Sequence, residues 1–311
     1  MTSDIPLPFV GPEPFVLVVG EALVDEVTTD VGTASHPGGS PFNVAIGLAR
    51  LGVSTLLHTE VGDDERGGLL RAHARESGVG LTAESVSVGS TSYARARIDP
   101  TGAAAYDFSV SWRPEPFSLP GTPSLVHVGS IAAVLPPGCD LVAGVVSALK
   151  PTSLITFDPN VRPPLISDSD QARRRVAQLV AMADVVKVSD EDMEWLHPGR
   201  DIEDAVADWL ATGPDVIVVT RGSLGASCYS RWGAHHSVPP ETTVADTIGA
   251  GDSFAAGLIA SLMNSDAVIP ENRLAGLDGA RTRRAIDFAT RCAAITVSRA
   301  GAQPPWLAEL A

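Results

Sequence analysis

Short apolar runs and longer amphipathic stretches alternate along most of the chain. Phe15 to Val19 is uniformly apolar and stops at Gly20, the pattern of a strand covered on both faces. Ser54–His58, Leu125–Val128, Leu154–Phe157, Asp184–Val188 and Val216–Thr220 read the same way. Between them, Glu65–Glu76, Asp140–Leu149, Asp170–Met182 and Asp201–Ala211 read as helices. Ala226–Tyr229 and Ala234–Val238 add antiparallel edge strands, and Arg281–Val297 is a last long helix. This rhythm predicts an α/β fold with a central, mostly parallel sheet flanked by helices on both faces. No repeat, long linker or low-complexity run interrupts it, so the 311 residues are read as one domain.

Two places break the rhythm. Ser92–Ile98 and Ala104–Val110 mix polar and apolar residues around Asp99-Pro100-Thr101-Gly102, which predicts a hairpin with one wet face, a flap rather than core. Val31–Pro37 is polar and reads as irregular. Trp112, just after the hairpin, either walls a pocket or anchors in the core.

Asp246-Thr247-Ile248-Gly249-Ala250-Gly251-Asp252-Ser253 leads into an apolar run from Phe254 to Leu262. The run predicts a buried helix starting near Ala250. Its unpaired N–H groups and the positive end of its dipole then fall on Gly249 to Asp252, a place that attracts phosphate. Asp252 either caps this helix or takes a proton from a hydroxyl attacking phosphorus. A second glycine stretch, Gly38-Gly39, precedes Ser40-Pro41-Phe42-Asn43. Here Ser40 is read as the cap of a helix that opens on Pro41 and ends at Gly52. Asn43 lies in the first turn, where its amide pairs with a hydroxyl or satisfies backbone groups.

Polar clusters follow the apolar strands. Asp25 lies just past the first strand, as a ligand or as a surface turn carboxylate. Asp158-Pro159-Asn160-Val161-Arg162, Ser189-Asp190-Glu191-Asp192 and Thr220-Arg221-Gly222-Ser223-Leu224-Gly225 follow later strands. Clusters at the carboxyl ends of successive parallel strands mark a site at that edge. Arg162 has the planar fork that suits phosphate. The acids from Ser189 to Asp192 either hold a hydrated magnesium ion or begin a solvated helix.

Composition narrows the chemistry. The net charge of −15 argues against nucleic-acid binding, and an anionic substrate then needs a few placed cations or amides. Lysine occurs only at Lys150 and Lys187. Cys139, Cys228 and Cys292 are far apart and odd in number, without disulfide or zinc spacing. No apolar run reaches membrane-spanning length, and Met1–Pro14 lacks the pattern of a signal peptide. A cytoplasmic protein without nucleic-acid or membrane partners is expected. A P-loop is absent, and Gly249–Phe254 fails the dinucleotide-binding pattern at its last place.

The two glycine signatures and the strand-end motifs, with Gly20-Glu21-Ala22-Leu23-Val24-Asp25 and Arg299-Ala300-Gly301-Ala302-Gln303, occur in an order that resembles the ribokinase-like (PfkB) carbohydrate kinases. The match spans about Val16 to Pro305 and is nearest in motif to fructokinases. The resemblance implies a ribokinase-like fold with a discontinuous β lid from about 26–37 and 90–114. It implies ATP-dependent phosphoryl transfer to a sugar hydroxyl, with Asp252 as base and the amides of Gly249, Ala250, Gly251 and Asp252 as anion hole. Asp25, Gly38, Gly39 and Asn43 then meet the substrate, Arg162 the phosphates or the acceptor, and Thr220, Gly222 and Gly225 the nucleotide. A potassium-type cation is implied at Asp246, Ile248 and Ser298, and Mg2+ at Asp192 through water. Asp192 stands where the family often has glutamate, and Thr290 where many members have an asparagine near adenine. Lid strands often pair between subunits in this family, so a homodimer is admitted. Ribokinase, 2-keto-3-deoxygluconate kinase and nucleoside kinase activities, or a non-catalytic sugar-binding regulator, stand as alternatives.

Overall fold

The computed structural model describes residues 14–29, 32–98, 104–264 and 277–310. In chain order the elements are β1 (Val16–Val19), β2 (Leu23–Thr29), β3 (Gly32–Gly38), α1 (Ser40–Arg50), β4 (Thr55–His58), β5 (Val61–Gly62), α2 (Glu65–Ser77), β6 (Gly80–Leu81) and β7 (Val86–Ser87). Then come β8 (Tyr93–Ile98), β9 (Ala104–Ser109), β10 (Leu125–Gly129), α3 (Gly138–Leu149), β11 (Leu154–Asp158), α4 (Ser169–Met182), β12 (Val185–Ser189), α5 (Asp190–Leu196) and α6 (Ile202–Thr212). The chain closes with β13 (Val216–Thr220), β14 (Ala226–Ser230), β15 (Gly233–Ser237), α7 (Ala250–Asn264) and α8 (Gly279–Val297).

Nine strands form one sheet in the order β15-β14-β13-β12-β11-β10-β1-β4-β6, parallel except where β14 and β15 join antiparallel. Alternate residues of each central strand face opposite layers. Val16, Val18, Leu125, Leu154, Val185 and Val218 pack with α1, α7 and α8. Leu17, Val19, Val126, Ile155, Val186 and Ile217 pack on the other side, with the layer of α3, α4 and α6. Both faces are therefore dry, which is why these strands read as unbroken apolar runs. Trp112 is an anchor in the second layer, 1% exposed. No helix among the described residues is long and apolar enough to cross a membrane.

A second sheet, β3-β2-β8-β9, stands apart from the first. It corrects one reading: Gly32–Gly38 is a strand, paired antiparallel with β2 from Leu23↔Gly38 to Thr29↔Gly32. The hairpin of β8 and β9 forms as predicted; its turn residues, Asp99 to Gly102, lie outside the described residues, as does Val31. Glu26 ties this sheet to the body. Its carboxylate accepts from Arg66 on α2 and Arg95 on β8, both at 2.6 Å, and the paired guanidiniums hold its pKa below the usual range.

A second correction concerns the start of α1. Its cap is Gly39, at φ 100°, and Ser40 is the first helical residue. The Ser40 hydroxyl reaches across the fold to another helix.

Candidate active site

That helix is α7. The Ser253 amide closes its first turn on the Gly249 carbonyl, 2.8 Å away. The amides ahead of Ser253 have no carbonyl one turn back and sit at the positive end of the helix. The Ala250 amide meets the Thr247 carbonyl only at 3.3 Å. Gly249 has φ 75°, and a Cβ there would fall 2.6 Å from the Ala302 side chain, so the turn into α7 demands glycine.

Asp252 is 8% exposed. Its Oδ1 accepts from the Ser40 hydroxyl at 2.7 Å and its Oδ2 from the Asn43 amide at 2.8 Å. Two donors aimed at two oxygens suit an acceptor-only carboxylate and fix its plane. The two glycine signatures thus meet, more than two hundred residues apart in sequence, at one carboxylate.

On one side of Asp252 lie Gly38, Gly39, Asn43 and Asp25. Asp25 sits within β2, inside the second sheet rather than in a turn. Its carboxylate presses on Gly38, where a Cβ would fall 2.2 Å from Oδ2. A Cβ on Gly39 would meet the Glu21 carbonyl at 2.7 Å. Burial raises the pKa of Asp25, the charge of Asp252 pushes the same way, and His36 and Arg162 oppose both. Arg162, just past the carboxyl end of β11, is exposed, and its charge lowers the pKa of both Asp25 and Glu21.

On the other side opens a cleft of about 1020 Å³. Thr220, Gly222 and Gly225 line it with Ala250, Gly251 and Phe254, so the predicted nucleotide residues share a wall with the mouth of α7. Thr290 lines it too, but its hydroxyl is spent on the Ile286 carbonyl. Gly225 has φ 89° and no room for a Cβ against the Ser237 carbonyl. The volume is that of a small-molecule site.

Three site residues were missed by the sequence reading. Ser40, expected as a cap, donates to Asp252 instead. Lys187, a lone lysine in an apolar strand, donates to Asp158 Oδ2 at 2.9 Å, with both side chains buried. A Cβ on Gly251 would fall 3.0 Å from its Nζ, so the ammonium lies directly under the start of α7. Burial works against that charge, yet Asp158, Asp192 and Asp252 hold the Lys187 pKa above the ordinary value. The third is Glu21, 3% exposed, which accepts from the Ala132 amide at 3.0 Å and from Ser130.

Burial pushes Glu21 up to about 7, against the lowering pull of Ser130, Ala132 and Arg162. The folded state therefore binds a proton that the unfolded chain has released. That contribution is full below pH about 4.5 and is lost as pH rises through 7. Relative to Glu21→Gln, the wild type is expected to lose on the order of 3 kcal/mol of stability between pH 4.5 and 8. Denaturant titrations of both proteins across that range check it; parallel curves would contradict the assignment.

The predicted metal residues divide. Asp246 Oδ1 accepts from the Ile248 amide and Oδ2 from the Gly301 amide, which lower its pKa and join the loop before α7 to the loop after α8. Ser298 lies at the end of α8, its hydroxyl on the Ile295 carbonyl. Asp246 is the anionic group at this junction, a charge that suits a monovalent cation. Asp192 serves the backbone: Oδ1 accepts from the Val161 amide at 2.9 Å and Oδ2 from Ser189 at 3.4 Å, completing a capping box on α5. No group of three or more histidine, cysteine, aspartate or glutamate side chains poised for a metal occurs among the described residues. Both oxygens of Asp192 are engaged by backbone amides.

The chain is similar to known proteins along nearly its whole length. A sequence profile of the pfkB family carbohydrate kinases matches residues 14–309. A fructokinase of Rhizobium leguminosarum bv. trifolii is 32% identical over 285 residues, covering 88% of this chain and 86% of that protein. A fructokinase double mutant of Vibrio cholerae O395, solved with fructose, ADP and potassium ion, superposes with TM-score 0.78 at 26% identity, covering 96% of this chain and 97% of that one. An aminoimidazole riboside kinase of Salmonella enterica, solved with aminoimidazole riboside and an ATP analog, gives 0.79 at 26% identity over 95% and 98%.

Proposed function

From the premise that this chain belongs to the pfkB family of carbohydrate kinases and is an ATP-dependent sugar kinase, we propose that it phosphorylates a neutral sugar, fructose first, with Asp252 as general base. One observation carries the reading. Asp252 is held by Ser40 and Asn43 on the side of Asp25 and adjoins Gly251 on the wall of the large cleft. A hydroxyl lying at Asp252 therefore faces a phosphoryl group lying on the amides of Gly249 to Asp252.

The reaction follows from that placement. The sugar oxygen attacks the γ-phosphorus of ATP, its proton passes to the Asp252 carboxylate, and the bond to the bridging oxygen breaks to release ADP. Phosphoryl transfer has a loose transition state, so positioning and charge stabilisation supply most of the rate. The helix mouth and Lys187 beneath it offset charge on the group in transit. Asp192, through water, would hold Mg2+ and the Asp246 loop a monovalent cation, and these ions would supply positive charge against the phosphates and the anion hole. The four-stranded sheet carrying Asp25 covers the sugar and keeps water from the phosphate.

Charge favours a neutral acceptor. Asp25 and Asp252 act on each other at this side, with Arg162 and His36 as the cations acting on Asp25. A sugar acid such as 2-keto-3-deoxygluconate would add a carboxylate to that group. Relatives named as fructokinases support fructose over ribose, whereas the riboside kinase keeps a nucleoside-like acceptor in contention. A screen of coupled ADP release over fructose, ribose, 2-keto-3-deoxygluconate and adenosine tests this. Fructose is expected to give the highest kcat/KM, by roughly tenfold or more. Preference for the sugar acid or for adenosine would overturn the assignment.

A further inference from the structure

Asn160 and Ser130 are the two non-glycine residues with positive φ among the described residues, at 38° and 55°. They follow β11 and β10, which are neighbours in the sheet, and strained backbone of this kind clusters at functional sites. Asparagine tolerates the left-handed region because its short amide bonds locally. Here the local partner is Arg162. Its Nη1 donates to Asn160 Oδ1 at 2.7 Å, to the Val161 carbonyl at 3.0 Å and to the Asn160 carbonyl at 3.3 Å.

The turn is itself fixed. The Val161 amide is held by Asp192, and Pro163 and Pro164 stiffen the chain beyond Arg162. An exposed arginine otherwise samples many rotamers, and ordering it on binding costs entropy. Anchoring one nitrogen of a planar guanidinium fixes the plane and presents the remaining donors as a rigid unit.

We infer that Asn160 is a positioning residue: its left-handed turn and side-chain oxygen hold the Arg162 guanidinium at the acceptor side of the site. The inference rests on the reading that Arg162 meets the sugar. It gives Asn160 a role in acceptor affinity and none in nucleotide binding.

The test is a double-mutant cycle with the best sugar of the screen, D-fructose in the first instance. Asn160→Gly accommodates the backbone but removes the oxygen; Asn160→Asp keeps an acceptor oxygen. Asn160→Gly is expected to raise the sugar KM roughly tenfold, as for a hydrogen bond to a charged group. The KM for ATP and the thermal midpoint should hold, and Asn160→Asp should stay within about twofold of wild type. In an Arg162→Met background, Asn160→Gly should add less than about twofold. An unchanged sugar KM, an equal effect in both backgrounds, or a joint rise of both KM values with a lower midpoint would overturn the inference. If Arg162→Met alone leaves the sugar KM unchanged, the placing of Arg162 at the acceptor falls, and this inference with it. Additivity alongside a large Arg162→Met effect would sink the inference alone.

Discussion

Asp252→Asn is expected to lower kcat at least about a hundredfold, the usual range for loss of a general base. The KM values for sugar and ATP should move by less than about threefold, since positioning is retained. Asparagine has the shape of the carboxylate it replaces. The Ser40 hydroxyl can rotate to accept from the new amide while Asn43 still donates to the remaining oxygen, so the junction of α1 and α7 survives. What the amide cannot do is take the proton. Steady-state kinetics with a thermal-midpoint control separate the two. Near-normal turnover by a folded variant would remove Asp252 from the chemistry and leave it a cap.

Lys187→Met should have the largest effect on stability. It removes one partner of a buried ion pair and leaves Asp158, 1% exposed, uncompensated. Breaking such pairs costs about 3–5 kcal/mol. The double variant Lys187→Met/Asp158→Asn removes the stranded charge and should recover most of that loss in denaturant titrations. It should not recover activity, because the ammonium beneath Gly251 is still missing from the anion hole. A single variant as stable as wild type would contradict the pairing, and a double variant with full turnover would contradict the catalytic use of the charge.

The parallel core was legible in the sequence because both its faces are dry, and runs such as Val216–Val219 have no polar break. The second sheet was harder. Gly32–Gly38 carries almost no apolar side chain and is exposed over most of its length; it is a strand because β2 pairs with it, residue by residue. Local composition holds no trace of that partner. For Ser189 to Asp192 the sequence leaves a magnesium site and a helix start both open; the structure has the helix, begun by a capping box of Ser189 and Asp192.

The same divide runs through the site. The glycines before Asp252 announced a tight turn, and the positive φ at Gly249 is its physical cause. A serine ahead of a proline has the local pattern of a cap, whereas the partner of Ser40 lies two hundred and twelve positions away. Lys187 is a charge inside an otherwise apolar strand, a signal the sequence reading passed over. Its meaning needed the adjacency of β11 and β12, which brings Asp158 beside it.

The central claim is that one carboxylate and a helix mouth move phosphorus onto an alcohol. The most direct measurement follows label from γ-labelled ATP in the presence of D-fructose or the best acceptor of the screen. The account predicts one labelled sugar phosphate per ADP with the wild type and almost none with Asp252→Asn. Label released as inorganic phosphate, or sugar phosphate formed equally well by the variant, would contradict it.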